Sequence, residues 1–189
     1  MRRAPWLRHV LVVGLALGLV NAVPPAASGQ EAPGVVTTTD ELRAALDGND
    51  SEILLDAATF DLGGTPLTID RPVTLVGAGA PPGPTASTID AGGQSRAIKV
   101  TAQGVEIRGV VITGGDVSGK NKDNTGGGVL VDPGKGKNGA PGELTLVDST
   151  VSNNTAVNQP AGGVYGSFGS NVEIIRSTVS GNSSGDVAG

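Results

Sequence analysis

The chain has 189 residues, with 31 glycines, no cysteine, 2% aromatic residues and a formal net charge of −5 at pH 7. An acidic chain with so few aromatic side chains lacks the basic and stacking surfaces that bind nucleic acid. Without cysteine there are no disulfides and no thiol nucleophile, so the fold has to be stabilised by apolar burial.

Residues 1–29 have the layout of a secretory signal peptide. Three of the first eight residues are arginine, an apolar run follows over residues 10–20, and small residues lead to a cleavage site near residue 22 or 29. The apolar run is about half as long as the ~20 residues of a membrane-spanning helix. We therefore predict a secreted or cell-surface protein. Removal of this segment takes away the single histidine and leaves 10 of the 13 basic residues against 18 acidic ones, a charge of about −8. Ser–His–Asp, Cys–His and ordinary zinc sites are then excluded.

Residues 37–50 are predicted to form a short amphipathic helix, preceded by a linker over residues 30–36. Thr38 stands three places before Glu41, which is the spacing of a capping box. Three apolar residues follow on one helix face: Leu42, Ala45 and Leu46. A stack of repeats has to cover the open end of its core, and we expect this helix to be the N-terminal cap.

The remainder, residues 51–189, is a repeat. Three stretches align without a gap: "VEIRGVVITGG" (105–115), "LTLVDSTVSNN" (144–154) and "VEIIRSTVSGN" (172–182). Apolar residues occupy the first, third and eighth places of each, and this alternation predicts two short strands joined by a bend. A third strand follows in "GGGVLV" (126–131) and "AGGVYG" (161–166), and shorter copies precede residue 105.

Self-similarity at this period predicts a stack of repeats. Three short strands per repeat, with β-branched residues and glycine corners, favour an all-β parallel β-helix of about four to five rungs, spaced by about 4.8 Å. The last rung stops before its third strand. We therefore expect a C-terminally truncated product, with Ile174 and Val179 at an open edge.

Residues 96–115 and the paired "STVS…GGV" rungs resemble the right-handed parallel β-helix repeat proteins, a group that includes pectate-lyase-like enzymes and polymorphic outer-membrane proteins. "GGVL" (127–130) and "GGVY" (162–165) match the GG-apolar-apolar motif of the latter. Val151 and Val179 stand where their F-x-x-N motif has Phe. The resemblance implies a right-handed parallel β-helix and no particular activity.

Two sets of repeated residues are interpreted as structural. Asn154 and Asn182 end successive stretches at one corner, where Asn tolerates unusual backbone angles and binds nearby backbone groups. Their stacked amides are expected to form a ladder. The glycine pairs before the third strands are predicted to make tight corners, since no nucleotide-binding glycine fingerprint is present: Gly127, Gly128, Gly162 and Gly163.

One loop carries the candidates for ligand binding: Asp116, Lys120, Lys122 and Asp123. Three interpretations stay open: a solvated loop, a weak site for an acidic ligand, and a calcium-dependent lyase site with acidic ligands beside a basic residue. Calcium is the one cofactor that these interpretations involve, and the sequence assigns no catalytic or metal-ligating residue. Glu106 and Glu173 should share an outward column as solvated glutamates.

Three functions follow from these patterns. The first is a non-catalytic scaffold or adhesion-type domain that contacts a polysaccharide or another cell-surface component along one face. The second is the N-terminal part of a polysaccharide lyase or glycoside hydrolase whose catalytic rungs lie beyond residue 189. The third is a module that self-associates through its C-terminal edge.

Overall fold

The computed structural model describes residues 34–79, 85–118, 125–132, 140–157 and 160–185. The predicted signal peptide and three of the loop candidates, Lys120, Lys122 and Asp123, lie outside the described residues. Within them the chain forms one helix, α1 (Thr39–Asp47), and seventeen strands. The strands are β1 (Val35–Val36), β2 (Glu52–Leu55), β3 (Thr59–Asp61), β4 (Leu67–Ile69), β5 (Val73–Val76), β6 (Ser87–Asp90), β7 (Ile98–Val100), β8 (Val105–Arg108), β9 (Val110–Thr113), β10 (Val129–Val131), β11 (Glu143–Val147), β12 (Thr150–Ser152), β13 (Thr155–Ala156), β14 (Val164–Gly166), β15 (Asn171–Ile175), β16 (Thr178–Ser180) and β17 (Ser183–Ser184).

These strands form three main parallel sheets. Sheet I has the order β1-β2-β5-β8-β11-β15, sheet II the order β16-β12-β9-β6-β3, and sheet III the order β14-β10-β7-β4. A fourth, two-stranded sheet joins β13 and β17. The chain passes from sheet I to II to III and back to I, and each passage adds one strand beside the strand of the previous passage. The prediction of a mostly β chain built from parallel sheets is confirmed.

The register follows the alignment of the three eleven-residue stretches. Their first, third and eighth places pair with one another across neighbouring strands, in the rows Val105–Leu144–Val172, Ile107–Leu146–Ile174 and Ile112–Val151–Val179. Because side chains alternate between the two sides of a strand, these rows point to one side of each sheet. The apolar side chains of the sheets meet in one core, where Phe60, Leu75 and Ile89 have no exposed surface.

Helix α1 covers the first repeat. Thr38 is its N-cap: the Thr38 hydroxyl accepts from the Glu41 N–H at 3.3 Å, and the Glu41 carboxylate accepts from the Thr38 N–H at 3.2 Å. Leu42 is fully buried, and Leu46 is buried in the same core. The helix is shorter than residues 37–50 because Thr38 is extended as the N-cap and the helix ends at Asp47, followed by the extended C-cap residue Gly48.

Two arginines tie this helix to the strands beneath it. Arg71 donates to the carbonyl oxygens of Ala45 and Leu46, in the last turn of the helix, at 2.8 and 3.0 Å. The Ala45 carbonyl also accepts from the Gly48 N–H at 3.2 Å. The last carbonyls of a helix lack the partners that interior carbonyls have, so the guanidinium adds a C-terminal cap. Arg43, within the helix, donates to three carbonyl oxygens of the segment 62–66 that joins β3 to β4.

Four short strands were not predicted. β1 lies in the segment 30–36 that was predicted to be a linker, and it pairs with β2. β3, β13 and β17 are the others, with three, two and two residues. Two residues are too few to show an alternating pattern, and β3 contains a single apolar residue, Phe60, between two polar ones. Among the described residues, no helix is long and apolar enough to cross a membrane.

Candidate functional site

The corner between sheets I and II is turned by residues in the left-handed backbone region. Gly109, Asp148 and Arg176 occupy the predicted bends, with φ of 64°, 47° and 46°. The next residue in the two later repeats is serine, and its hydroxyl accepts a backbone N–H of the repeat before it. Ser149 accepts from Val110 at 3.3 Å, and Ser177 accepts from Ser149 at 3.0 Å.

This serine ladder was missed by sequence reasoning. The signal was available, because serine holds the sixth place in two of the three aligned stretches. Serine side chains bind neighbouring backbone groups in this way.

The corner that follows sheet II carries a ladder of asparagine amides. The side chain of Asn154 is fully buried, and its Oδ1 accepts from the Gly115 N–H at 2.8 Å. Its Nδ2 lies 3.0 Å from the Ser152 carbonyl oxygen and 3.0 Å from Oδ1 of Asn182. The same Oδ1 of Asn182 accepts from the Asn154 backbone N–H at 3.0 Å. Each asparagine thus accepts from the backbone of the repeat before it.

The glycine pairs pack directly against this ladder. A Cβ atom at Gly128 would lie 2.9 Å from Nδ2 of Asn154, and one at Gly163 would lie 2.8 Å from Nδ2 of Asn182. The preceding glycines, Gly127 and Gly162, would place Cβ 2.3 and 2.2 Å from carbonyl oxygens in the short strands β13 and β17. The structure therefore brings the six repeated residues together.

The reason for these glycines differs from the prediction of tight corners. None of the four is among the described glycines with positive φ. Their need for glycine is the close approach of the Asn ladder and of neighbouring backbone, which leaves no room for a side chain.

The polar groups of this region are satisfied within the chain. Among the described residues, no buried side-chain nitrogen or oxygen lacks a hydrogen-bond partner. Unsatisfied buried polar groups would be candidates for binding a ligand, whereas satisfied ones stabilise the fold. The Asn amides accordingly hold successive repeats together.

The loop candidates are placed only in part. Asp116 is half-buried and forms an isolated parallel bridge with Thr155. Its Oδ1 accepts from the Ser118 N–H at 2.8 Å, which is the local bond of an Asx turn. Within the described part of the chain, no group of three or more His, Cys, Asp or Glu side chains could hold a metal ion.

The outward carboxylates of sheet I lie in register. Thr145 pairs with Glu106 on one side and with Glu173 on the other, so the two glutamates share one row with a threonine between them. Glu106 forms an ion pair with Arg108 of its own strand. The backbones of the two glutamates stand two strand spacings apart, about 10 Å.

Asp148 and Arg176 form an exposed pair at the first corner. Arg176 donates to both carboxylate oxygens of Asp148 at 2.7 Å. This hydrogen bond lowers the pKa of Asp148 below its ordinary value, and the charge of Arg176 acts in the same direction. A general acid needs a raised pKa, so Asp148 is unsuited to that role.

A shallow pocket of about 190 Å³ lies beside α1 and β4. It is lined by Arg43, Leu46, Asp47, Pro66, Leu67 and Thr68. Asp47 is its one carboxylate, whereas hydrolysis of a glycosidic bond requires two. The guanidinium of Arg43 is bound to backbone carbonyls and fixes the helix.

Searches against protein-family models, curated proteins and solved structures found no match to this chain. Function therefore has to be inferred from the residues and geometry of the chain itself.

Proposed function

We propose that the chain is a secreted or cell-surface parallel β-helix, right-handed and with about four to five rungs, whose described repeats serve as a non-catalytic scaffold. The observation that carries the proposal is the pair of corner ladders. Ser149 and Ser177 at one corner, and Asn154 and Asn182 at the next, direct their side chains into the joints between repeats. Polar side chains whose hydrogen bonds link successive repeats stabilise the stack and do not line a cleft.

The order of strands supports the β-helix. Three parallel sheets that each gain one strand per passage of the chain are what a three-sided coil produces. Positive φ at the corner residues turns the chain from sheet I to sheet II without a long loop. The covering helix α1 and the buried Leu42 correspond to the terminal cap that such stacks need.

The outer face of sheet II is the face we assign to contact with a polysaccharide. Its strands place one residue of each repeat in a continuous row: Thr59, Thr88, Val111, Thr150 and Thr178. Hydroxyl and methyl groups along this row match the hydroxyl and C–H groups of an uncharged glycan. After removal of the predicted signal peptide, the net charge of about −8 disfavours an acidic glycan by repulsion.

The test uses the full chain produced in a bacterial host. Binding to insoluble cellulose and chitin is measured by co-sedimentation, and release of reducing ends or unsaturated products is measured on these glycans and on pectate, with calcium or EDTA. We expect binding to a neutral glycan and no product. Formation of product would overturn the scaffold proposal, provided that a substitution within the chain abolishes it and so excludes a contaminating enzyme of the host.

A pair of variants tests the face separately. Thr88→Lys alters the row on sheet II, and Thr74→Lys alters the outer face of sheet I in the same repeat; both threonines are half-buried. Binding should fall at least fivefold in Thr88→Lys and stay within twofold in Thr74→Lys. Equal effects would show that sheet II is not the contact face while leaving the scaffold in place.

A further inference from the structure

The outer row of sheet II repeats one chemistry at every strand. Its members are Thr59, Thr88, Val111, Thr150 and Thr178, and valine has the shape of threonine with a methyl group in place of the hydroxyl. The outer rows of the other two sheets change from strand to strand. Sheet I places Glu52, Thr74, Glu106, Thr145 and Glu173 in register, and sheet III places Thr68, Lys99, Leu130 and Tyr165 in register. Sheet II is therefore the face on which a ligand that repeats once per strand would meet similar groups each time.

A second polar row runs beside the first, two residues further along the same strands. Its members are Asp61, Asp90, Thr113, Ser152 and Ser180. Because side chains alternate along a strand, both rows point to the outer side of the sheet, about 7 Å apart. The carboxylates accept hydrogen bonds, and the hydroxyls both accept and donate them. A sugar ring placed between the rows would have polar partners on two sides.

The two aspartates of the second row are held in place by their own turns. Oδ1 of Asp61 accepts from the Gly63 N–H and Oδ1 of Asp90 accepts from the Gly92 N–H, both at 2.9 Å. A carboxylate has further acceptor positions, which suit the hydroxyl groups of a sugar. The five strands of sheet II contain no lysine or arginine. The charge on this face therefore favours a neutral sugar over a carboxylated or sulfated one.

The shape of the face sets the direction of an extended ligand. The rows cross five strands, a length of about 19 Å, whereas each strand has three or four residues and a length of about 10–13 Å. A chain that lies along one strand would meet two outward side chains before the corner. A chain that lies across the strands would meet two more at every strand spacing.

We propose, as an extension of the function proposed above and resting on it, that sheet II binds a neutral β-1,4-linked glycan across its strands, with one sugar ring at each strand. In such a chain of glucose or N-acetylglucosamine, both bonds that link a ring to its neighbours are equatorial, so the chain is an extended ribbon. Each ring advances the ribbon by a length close to the strand spacing of about 4.8 Å. An α-1,4-linked glucose chain has one axial bond at each ring and coils away from a straight row.

The test measures the affinity of the full chain for soluble oligosaccharides by isothermal titration calorimetry. Cellobiose and cellotetraose form one series, and the di- and tetrasaccharides of chitin form the other. Kd should fall by about tenfold or more from two rings to four in the series that binds, because two further rings form hydrogen bonds. Comparison of the two series identifies the sugar. Maltotetraose, the α-1,4-linked control, should bind about tenfold or more weakly than the preferred tetrasaccharide.

Two variants place the glycan on the face. Thr88 and Thr150 lie in the first row on strands that are two spacings apart. Thr88→Lys and Thr150→Lys should each weaken binding of the tetrasaccharide by about fivefold or more, since one chain contacts both strands. Thr68→Lys is the matched control, because Thr68 is exposed on the outer side of sheet III, and its Kd should stay within about twofold of wild type. Circular dichroism verifies that each variant keeps its β spectrum.

Several results would overturn this inference while leaving the proposed function in place. They are equal Kd values for two rings and four, equal binding of maltotetraose, and an unchanged Kd in either row variant, which is expected if glycans lie along single strands at several equivalent sites. Co-sedimentation with cellulose or chitin without binding of any oligosaccharide would do the same. Absence of binding to both soluble and insoluble glycans would overturn the proposed contact with polysaccharide, and this inference with it.

Discussion

Replacement of Asn154 by alanine removes the centre of the asparagine ladder. The change leaves the buried Gly115 N–H without its acceptor. It also removes the side-chain Nδ2 group of Asn154, which donates a hydrogen bond to Oδ1 of Asn182. A buried donor left unsatisfied costs about 1–3 kcal/mol, and each further hydrogen bond contributes about 1 kcal/mol. We therefore expect the free energy of unfolding to fall by about 3–4 kcal/mol, a large part of the ~5–15 kcal/mol of a typical domain.

The measurement is urea unfolding of the full chain, followed by far-UV circular dichroism. The midpoint should fall while the slope with urea stays constant, since a change of slope would indicate an altered unfolded or native ensemble. Two matched variants calibrate the effect. Asn182→Ala removes a half-buried amide and should cost about 1–2 kcal/mol. Asn153→Gly changes the exposed neighbour, whose φ is 55°, and should alter the free energy of unfolding by less than about 0.5 kcal/mol.

Combining the two alanine changes tests whether the ladder acts as a unit. Because the amides of Asn154 and Asn182 bond to each other, the double variant should lose less than the sum of the single losses, by about 0.5–3 kcal/mol. A loss below about 1 kcal/mol in Asn154→Ala, or a loss equal to that of Asn153→Gly, would refute the assignment of the ladder as a stabilising element.

Three further changes test other parts of the fold. Gly127→Ala forces a Cβ to within 2.3 Å of a backbone carbonyl oxygen and should cost about 2 kcal/mol in urea unfolding, whereas Gly34→Ala meets nothing within 4 Å and should cost nothing. Arg71→Met removes the cap of the helix carbonyls and should cost about 2 kcal/mol; Arg71→Lys, lacking the planar guanidinium, should recover less than half of that loss. The backbone N–H of Thr37 lowers the pKa of Glu41 below its ordinary 4.5. The ionised Glu41 carboxylate therefore stabilises the folded state above pH 4.5, and this contribution is lost as the pH falls through the lower pKa of the folded state. Thermal melts from pH 6 to 3 should show a shallower acid loss in Glu41→Gln than in wild type, and identical profiles would contradict this role.

The stacked rows could be predicted from sequence because the side-chain period of a strand is two. A shift of one residue would turn every apolar side chain outward, so the gapless alignment of Val105, Leu144 and Val172 leaves one register. The capping box of Thr38 and Glu41 could also be predicted from the sequence, since both of its hydrogen bonds join residues three apart.

Other features have no local pattern. The helix carbonyls to which Arg71 donates lie 25 and 26 residues away in sequence, and a carbonyl is present at every residue. The glycine pairs were recognised as structural, but their cause, the proximity of the Asn amides, depends on a contact between repeats. The two-residue strands β1, β13 and β17 are defined by their pairing alone.

The corner ladders also make length an adjustable property of this chain. Serine and asparagine each recur after 28 residues, at Ser149 and Ser177 and at Asn154 and Asn182. A duplicate of residues 144–171, inserted before residue 172, would therefore meet the donors and apolar rows that it needs on both sides. Such a cassette would lengthen the protein by one strand spacing, about 4.8 Å, for every copy added. Peptides grafted into the corner loops of successive copies would then be displayed at regular intervals of one strand spacing.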